Sequence, residues 1–224
     1  MTSKPEKWAV VADFDGTVSM KDVSDELCFH FKTASRAGIR GSYAPGVKVE
    51  DWLAASFGAI TARRGEIEKF VSGFARPRAG ARRFYEYCRR NGLPFEIASG
   101  GLDIYIAPLL EKWGLGDSRY FCAAVTPARP AGYSVNYRKM LGRAATVDEF
   151  KAQRVRRLKK QGFRVLFCGD GTSDLLAALE ADAVFARFKL ARLCARAGKK
   201  TKRLVSFDAA LKFLKDREHA SGAV

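Results

Sequence analysis

Three short apolar runs in this 224-residue chain each end on small or acidic residues, and stretches of helical period separate them. Trp8-Ala-Val-Val-Ala runs into Asp13, Pro94-Phe-Glu-Ile-Ala into Ser99, and Arg164-Val-Leu-Phe-Cys-Gly into Asp170. Runs of this length bounded by turn residues are strands buried on both faces. Asp182–Ala186 and Arg203–Phe207 add two more of the same kind. Between them, Arg78–Asn91, Leu102–Trp113, Val147–Gln161 and Thr172–Ala181 carry apolar residues three and four apart, as amphipathic helices do. Strands alternating with helices predict an α/β fold, a parallel sheet with helices on both faces. Tyr120–Val125 and Tyr133–Tyr137, joined through Pro127, Pro130 and Gly132, read as an antiparallel hairpin appended to that sheet.

Residues 20–76 break the alternation. They hold helical patterns at Val23–Phe31, Val49–Phe57 and Gly65–Phe74 and a loop at Gly38–Gly46, with no strand. The expectation is a core formed by residues 1–19 and 77–224, with an all-helical cap of residues 20–76 inserted after the first strand. The tail from Glu218 to Val224 is expected to fray.

In open α/β sheets, ligands bind beyond the carboxyl ends of the strands. Three strands deliver polar groups there: Asp13-Phe-Asp-Gly-Thr17, Ser99-Gly-Gly101 and Gly169-Asp-Gly-Thr-Ser-Asp174, with Lys151 opening the helix before the third. Each cluster alone is ordinary turn chemistry. Together they supply the parts of a phosphoryl-transfer site. Asp13, Asp15, Asp170 and Asp174 are too many carboxylates to pack together without a cation. Oxygen ligands with no His or Cys select a hard ion, and Mg²⁺ suits phosphate chemistry. A carboxylate can serve as nucleophile through an acyl-phosphate, and a second one two residues on can protonate the leaving alkoxide and then activate water. Ser99 and the Gly100 N–H can hold phosphate at a helix N-terminus, and Lys151 supplies a compact positive charge.

These four clusters, in this order, resemble the motifs of the haloacid dehalogenase superfamily, and the resemblance covers almost the whole chain. It implies a Rossmann-like core with Asp13 as nucleophile and Asp15 as general acid and base. It further implies Thr17 as a supporting hydroxyl, Ser99 and Lys151 on the phosphate, and Mg²⁺ held by Asp13, the Asp15 carbonyl and Asp170, with Asp174 in support. The acid at position 15 points to the superfamily's phosphatases. The helical insert resembles the cap of the phosphoserine phosphatase-like branch. Within that branch, Ser99–Pro108 and Ala183–Arg187 with Leu190 and Cys194 are similar to methionine-salvage phosphatases.

The substrate expected is a small phosphorylated metabolite, such as a methionine-salvage intermediate, with phosphoserine as the alternative. By the same resemblance, Asp22 stands where phosphoserine phosphatases meet the substrate amine. It is also placed to cap the helix beginning Val-Ser-Asp-Glu-Leu. Arg63 or Arg64 could meet a carboxylate, or simply begin a solvated helix.

Composition adds one feature. Forty Lys and Arg against 24 Asp and Glu leave a net charge of +16, much of it in two runs, Arg154–Arg164 and Arg192–Arg203. That field attracts phosphate esters and nucleic acid alike. A nucleotide or nucleic-acid-end phosphatase, or a basic nucleic-acid-binding module, are the remaining readings. Helical spacing and the lack of interleaved aromatics favour solvated helix faces, with Arg156, Lys159 and Lys160 away from the site. The five scattered cysteines form no metal or disulfide pattern, and no apolar run approaches the ~20 residues of a membrane span, so a cytoplasmic protein is expected.

Overall fold

The computed structural model describes residues 7–44 and 46–222. In chain order its elements are β1 (Trp8–Ala12), α1 (Val23–His30), α2 (Arg36–Ser42), α3 (Val49–Gly58), α4 (Arg64–Phe74) and α5 (Ala81–Arg90). There follow β2 (Phe95–Leu102), α6 (Asp103–Lys112), β3 (Arg119–Pro127), β4 (Tyr133–Asn136), α7 (Arg138–Leu141) and α8 (Val147–Lys160). The chain closes with β5 (Arg164–Gly169), α9 (Leu175–Glu180), β6 (Ala183–Ala186), α10 (Phe188–Arg196), β7 (Lys202–Arg203) and α11 (Phe207–Gly222).

The strands form one seven-stranded sheet in the order β4-β3-β2-β1-β5-β6-β7. All neighbours are parallel except β3 and β4. The middle of the sheet is apolar on both faces: β1 is buried throughout, as are Val165, Leu166 and Phe167 of β5. Helices cover both sides, which is why these strands read as continuous apolar runs rather than alternating ones. No helix among the described residues is long and apolar enough to cross a membrane.

Residues between β1 and β2 leave the sheet at Ser19 and return at Pro77, where an antiparallel bridge joins the two passing strands of chain. The helices α1 to α4 lie in that excursion. It also packs on the sheet's edge hairpin: the Tyr133 hydroxyl donates to the Ala62 carbonyl at 2.8 Å, and the rings of Phe57 and Tyr133 lie 5.4 Å apart.

Several expectations are corrected. The loop expected at Gly38–Gly46 is largely α2, because Ser35 caps it, its Oγ accepting from Gly38 N at 3.0 Å, and Ile39 supplies a buried anchor. Arg203–Phe207 is not a strand. The edge pairing stops after Lys202–Arg203, and the Phe207 N–H donates to Ala79 O at 2.8 Å as α11 begins. The hairpin is antiparallel and joins the edge of the sheet as expected, with β3 pairing in parallel with β2. The expected loose tail from Glu218 is helical through Gly222, and residues 223 and 224 lie outside the described residues.

Arg154, read as part of a solvated basic face, is 7% exposed. Its guanidinium forks onto Glu96 of β2 at 2.7 and 2.8 Å and lies 4.3 Å from the centre of the Phe121 ring. A guanidinium buried between helix and sheet needs that carboxylate. Glu96→Ala should therefore lower stability by about 3 kcal/mol, read as a shift in urea midpoint at unchanged slope. Arg156 and Lys159, by contrast, stay on the surface and pair with Glu180 and Asp182.

Candidate active site

After β1 the chain makes a tight wrap over Phe14–Val18 in which the Val18 and Ser19 N–H groups donate to the carbonyls of Asp13 and Phe14. Gly16 turns the wrap at φ +69°, and a Cβ there would run into the Asp170 carboxylate, so only glycine fits. Phe14 stacks on Trp113 at 5.8 Å. Arg78, buried behind the wrap, donates to the carbonyls of Gly16 and Thr17, both at 2.6 Å, and of Ser19 at 3.2 Å. The wrap is thus pinned by an aromatic stack on one side and a guanidinium on the other.

This wrap, the end of β2 and the turn after β5 meet at the carboxyl edge of the sheet, around a cavity of about 710 Å³. Asp13, Asp15, Ser99, Gly100, Lys151 and Asp170 line it. Lys151, 1% exposed, lies on the second turn of α8 rather than opening it. Its ammonium donates to Asp13 Oδ1 at 2.8 Å, Asp174 Oδ1 at 2.7 Å and Ser173 Oγ at 3.3 Å. Burial works against that charge, but the two carboxylates outweigh it and hold the Lys151 pKa above its ordinary value.

Burial pushes Asp13 up to about 7, with Lys151 pulling the other way. Asp170 rises well above the carboxylate range through burial and the charges of Asp13 and Asp174. Carboxylate oxygens of Asp13, Asp170 and Asp174 lie within 4.8 Å of one another. Carboxylates gathered this closely form an all-oxygen cluster of negative charge, which a hard divalent cation fits. Asp174 differs from the other two. Its Oδ2 accepts from the N–H groups of Asp170 and Gly171, at 2.9 and 3.0 Å, while its Oδ1 takes Lys151. That carboxylate holds the turn and the lysine together. Thr17 donates to Asp170 Oδ1 at 3.3 Å.

Asp15 is fully satisfied: Oδ1 accepts from Val23 N at 2.8 Å and Oδ2 from the Tyr105 hydroxyl at 2.6 Å. Burial, then the nearby Asp22, raises its pKa well above normal. Tyr105 lies 90 residues away in sequence, and only its place on α6 beside the Gly101 backbone reveals the contact. Ser99 and Gly100 are not at a helix N-terminus, as the sequence suggested. They sit in an irregular stretch of β2, which continues to Leu102, and α6 begins only at Asp103. Ser99 Oγ accepts from Gly101 N at 3.0 Å, and the Tyr137 hydroxyl donates to Gly100 O at 2.6 Å.

Asp22 is the N-cap of α1, accepting from Asp25 N at 2.9 Å and Ser24 Oγ at 2.7 Å, yet it also lines the cavity. Its other oxygen shares the Tyr43 hydroxyl with Asp25. Arg63 and Arg64 are exposed and line no part of the cavity, and Arg64 pairs with Glu68 at 2.7 Å. The basic wall comes instead from Arg40, Lys189, Arg192 and Arg196. The last two belong to the run that the sequence placed on an outer helix face.

Residues 10–179 match the haloacid dehalogenase-like hydrolase family. The chain belongs to that family. As a haloacid dehalogenase-like hydrolase it is 26% identical to the 2-hydroxy-3-keto-5-methylthiopentenyl-1-phosphate phosphatase of Lysinibacillus sphaericus, over 96% of this chain and 97% of the relative. With the protein of the same name from Geobacillus kaustophilus, identity is 29% over 83% and 86%. The hydrolase also superposes on a substrate-bound phosphoserine phosphatase with a TM-score of 0.73, at 19% identity over 94% and 99% of the two chains. That likeness shows the shared α/β fold.

Proposed function

We propose that this hydrolase is a Mg²⁺-dependent phosphomonoesterase that works through an aspartyl-phosphate on Asp13. The observation that carries the reading is the Asp13–Lys151–Asp174 bridge at the end of β1, with Asp170 beside it and Asp15 two residues on. Asp13 has one oxygen engaged by Lys151, which leaves the other to attack phosphorus in line. Lys151 and Ser99 flank the position where the equatorial phosphate oxygens gather charge. Asp15 hands its proton to the leaving alkoxide, and the Tyr105 hydroxyl holds its carboxyl group in place meanwhile. Deprotonated, the same carboxylate takes a proton from the water that attacks the acyl-phosphate. A bound Mg²⁺ would be held by the Asp13 and Asp170 carboxylates and the Asp15 carbonyl, and would supply charge neutralisation between nucleophile and phosphate.

The helices of residues 20–76 close the cavity from above and act as the specificity cap. The methylthiopentenyl-phosphate phosphatase of Lysinibacillus sphaericus aligns over nearly the full length of both chains, and a small phosphorylated metabolite is the substrate class this reading favours. Phosphoserine is less well supported, because the Asp22 oxygens expected to meet its amine are taken by Ser24, the Asp25 N–H and Tyr43. Turnover of a chromogenic aryl phosphate should vanish with a chelator and return with Mg²⁺. Full activity in the chelator would remove the metal from the mechanism, and no turnover with Mg²⁺ would remove the phosphatase.

A further inference from the structure

The cavity is larger than a phosphate group and its metal require, and it is asymmetric. Buried carboxylates occupy its floor at the strand ends. Exposed guanidinium groups of Arg40, Arg192 and Arg196 form a wall toward solvent. Lys189, Arg192 and Arg196 are spaced three and four apart on α10, so they share one helical face, opposite buried Leu190 and Cys194. This face is turned to the cavity.

Two further observations concern the charge and the bracing of this wall. First, the guanidinium groups of Arg40, Arg192 and Arg196 have no ion-pair or hydrogen-bond partner among the described residues. The cavity's own acids do not neutralise them: Asp22 and Asp25 are turned to the Tyr43 hydroxyl, which is 3.0 Å from one and 2.6 Å from the other. Second, Lys189 braces the wall. Its ammonium donates to Tyr43 O at 2.6 Å and sits 4.9 Å from the centre of that ring. This clasp ties the end of α2, three residues beyond Arg40, to the start of α10. Guanidinium groups that line one cavity without a counter-ion suit an anion, and their planar forks match a carboxylate or phosphate.

We infer that Arg40, Arg192 and Arg196 form a second anion subsite, and that the favoured substrate is a phosphomonoester bearing a second acidic group, carboxylate or phosphate, at its far end. The inference rests on the phosphatase reading of the same cavity. It assigns to one wall a part of the positive charge that composition alone left without a role.

The test compares simple alkyl phosphates with their ω-carboxy and ω-phosphate counterparts over several chain lengths, in Mg²⁺. At the best length, kcat/KM should favour the doubly acidic ester on the order of tenfold, the size of one charge-assisted contact, and the ratio should shrink with salt. In Arg192→Gln/Arg196→Gln the ratio should collapse toward one. Reading the ratio cancels any general loss of activity in the variant. Whether the carboxylate or the phosphate series shows the larger ratio identifies the acidic group. A ratio near one at every length in the native protein, or a ratio kept in the double variant, overturns the inference. Calorimetric binding of the matching non-hydrolysable phosphonates reads the same ratio without turnover. If no ester is hydrolysed but the phosphonate ratio is present and lost in the variant, the phosphatase reading fails and the subsite stands.

Discussion

Asp13→Asn should lose at least about 10⁴-fold in turnover while its melting temperature stays within a few degrees of the native protein. An amide is too weak a nucleophile to form the acyl-phosphate, so the loss falls on the chemical step. The fold has little reason to suffer. Asn keeps an oxygen for Lys151, and Lys151 keeps Asp174 at 2.7 Å. The variant even relieves repulsion, because the charge of Asp13 is one of the causes that raise the Asp170 pKa in the native site. Stopped-flow or end-point phosphate release, paired with a thermal melt, checks both halves. Near-native turnover would show that the first carboxylate after β1 is not the attacking group.

Lys151→Met should be costly in both stability and activity. The side chain is almost wholly buried between Asp13 and Asp174, and removing its charge strands both carboxylates. Breaking a buried pair in this way costs about 3–5 kcal/mol. The pH dependence carries a definite sign. Asp13 already sits near 7 in the folded protein, raised by burial, and losing the lysine moves it further up. A folded-state pKa above the unfolded value of 3.8 means that the folded state binds the extra proton. The contribution of Asp13 to the stability of the variant is therefore greatest below about pH 4 and falls as pH rises through the folded pKa. The gap between variant and native protein should be smaller at pH 5 than at pH 8, measured by urea unfolding in a chelator. A gap that widens toward acid would contradict the burial account of this lysine.

The ends of β1, β2 and β5 were legible in sequence because an apolar run can end on a cluster of acids and glycines only where the chain leaves a covered sheet. Asp13, Asp15, Ser99, Lys151, Asp170 and Asp174 meet where that pattern places them. What escaped depends on partners distant in sequence. Arg154 reads like any other basic helical residue until Glu96, 58 positions earlier, is found beneath it. Tyr105 looks like core until Asp15 is seen to need its hydroxyl. The phase of Lys189, Arg192 and Arg196 along α10 was visible, but a helical period says which residues share a face and not which way that face points. Arg63 and Arg64 fail for the mirror reason. They stand at the start of α4, outside the cavity lining, and Arg40 of α2 takes the place beside it.

The most direct measurement of the central claim is the identity of the phosphorylated residue. Enzyme quenched in acid during turnover of a labelled ester, then digested and sequenced by mass spectrometry, should carry phosphate on the peptide containing Asp13. The label should be stable to acid and released by hydroxylamine, as an acyl-phosphate is. Phosphate on a serine, or steady turnover with no labelled peptide under any quench, would contradict the account.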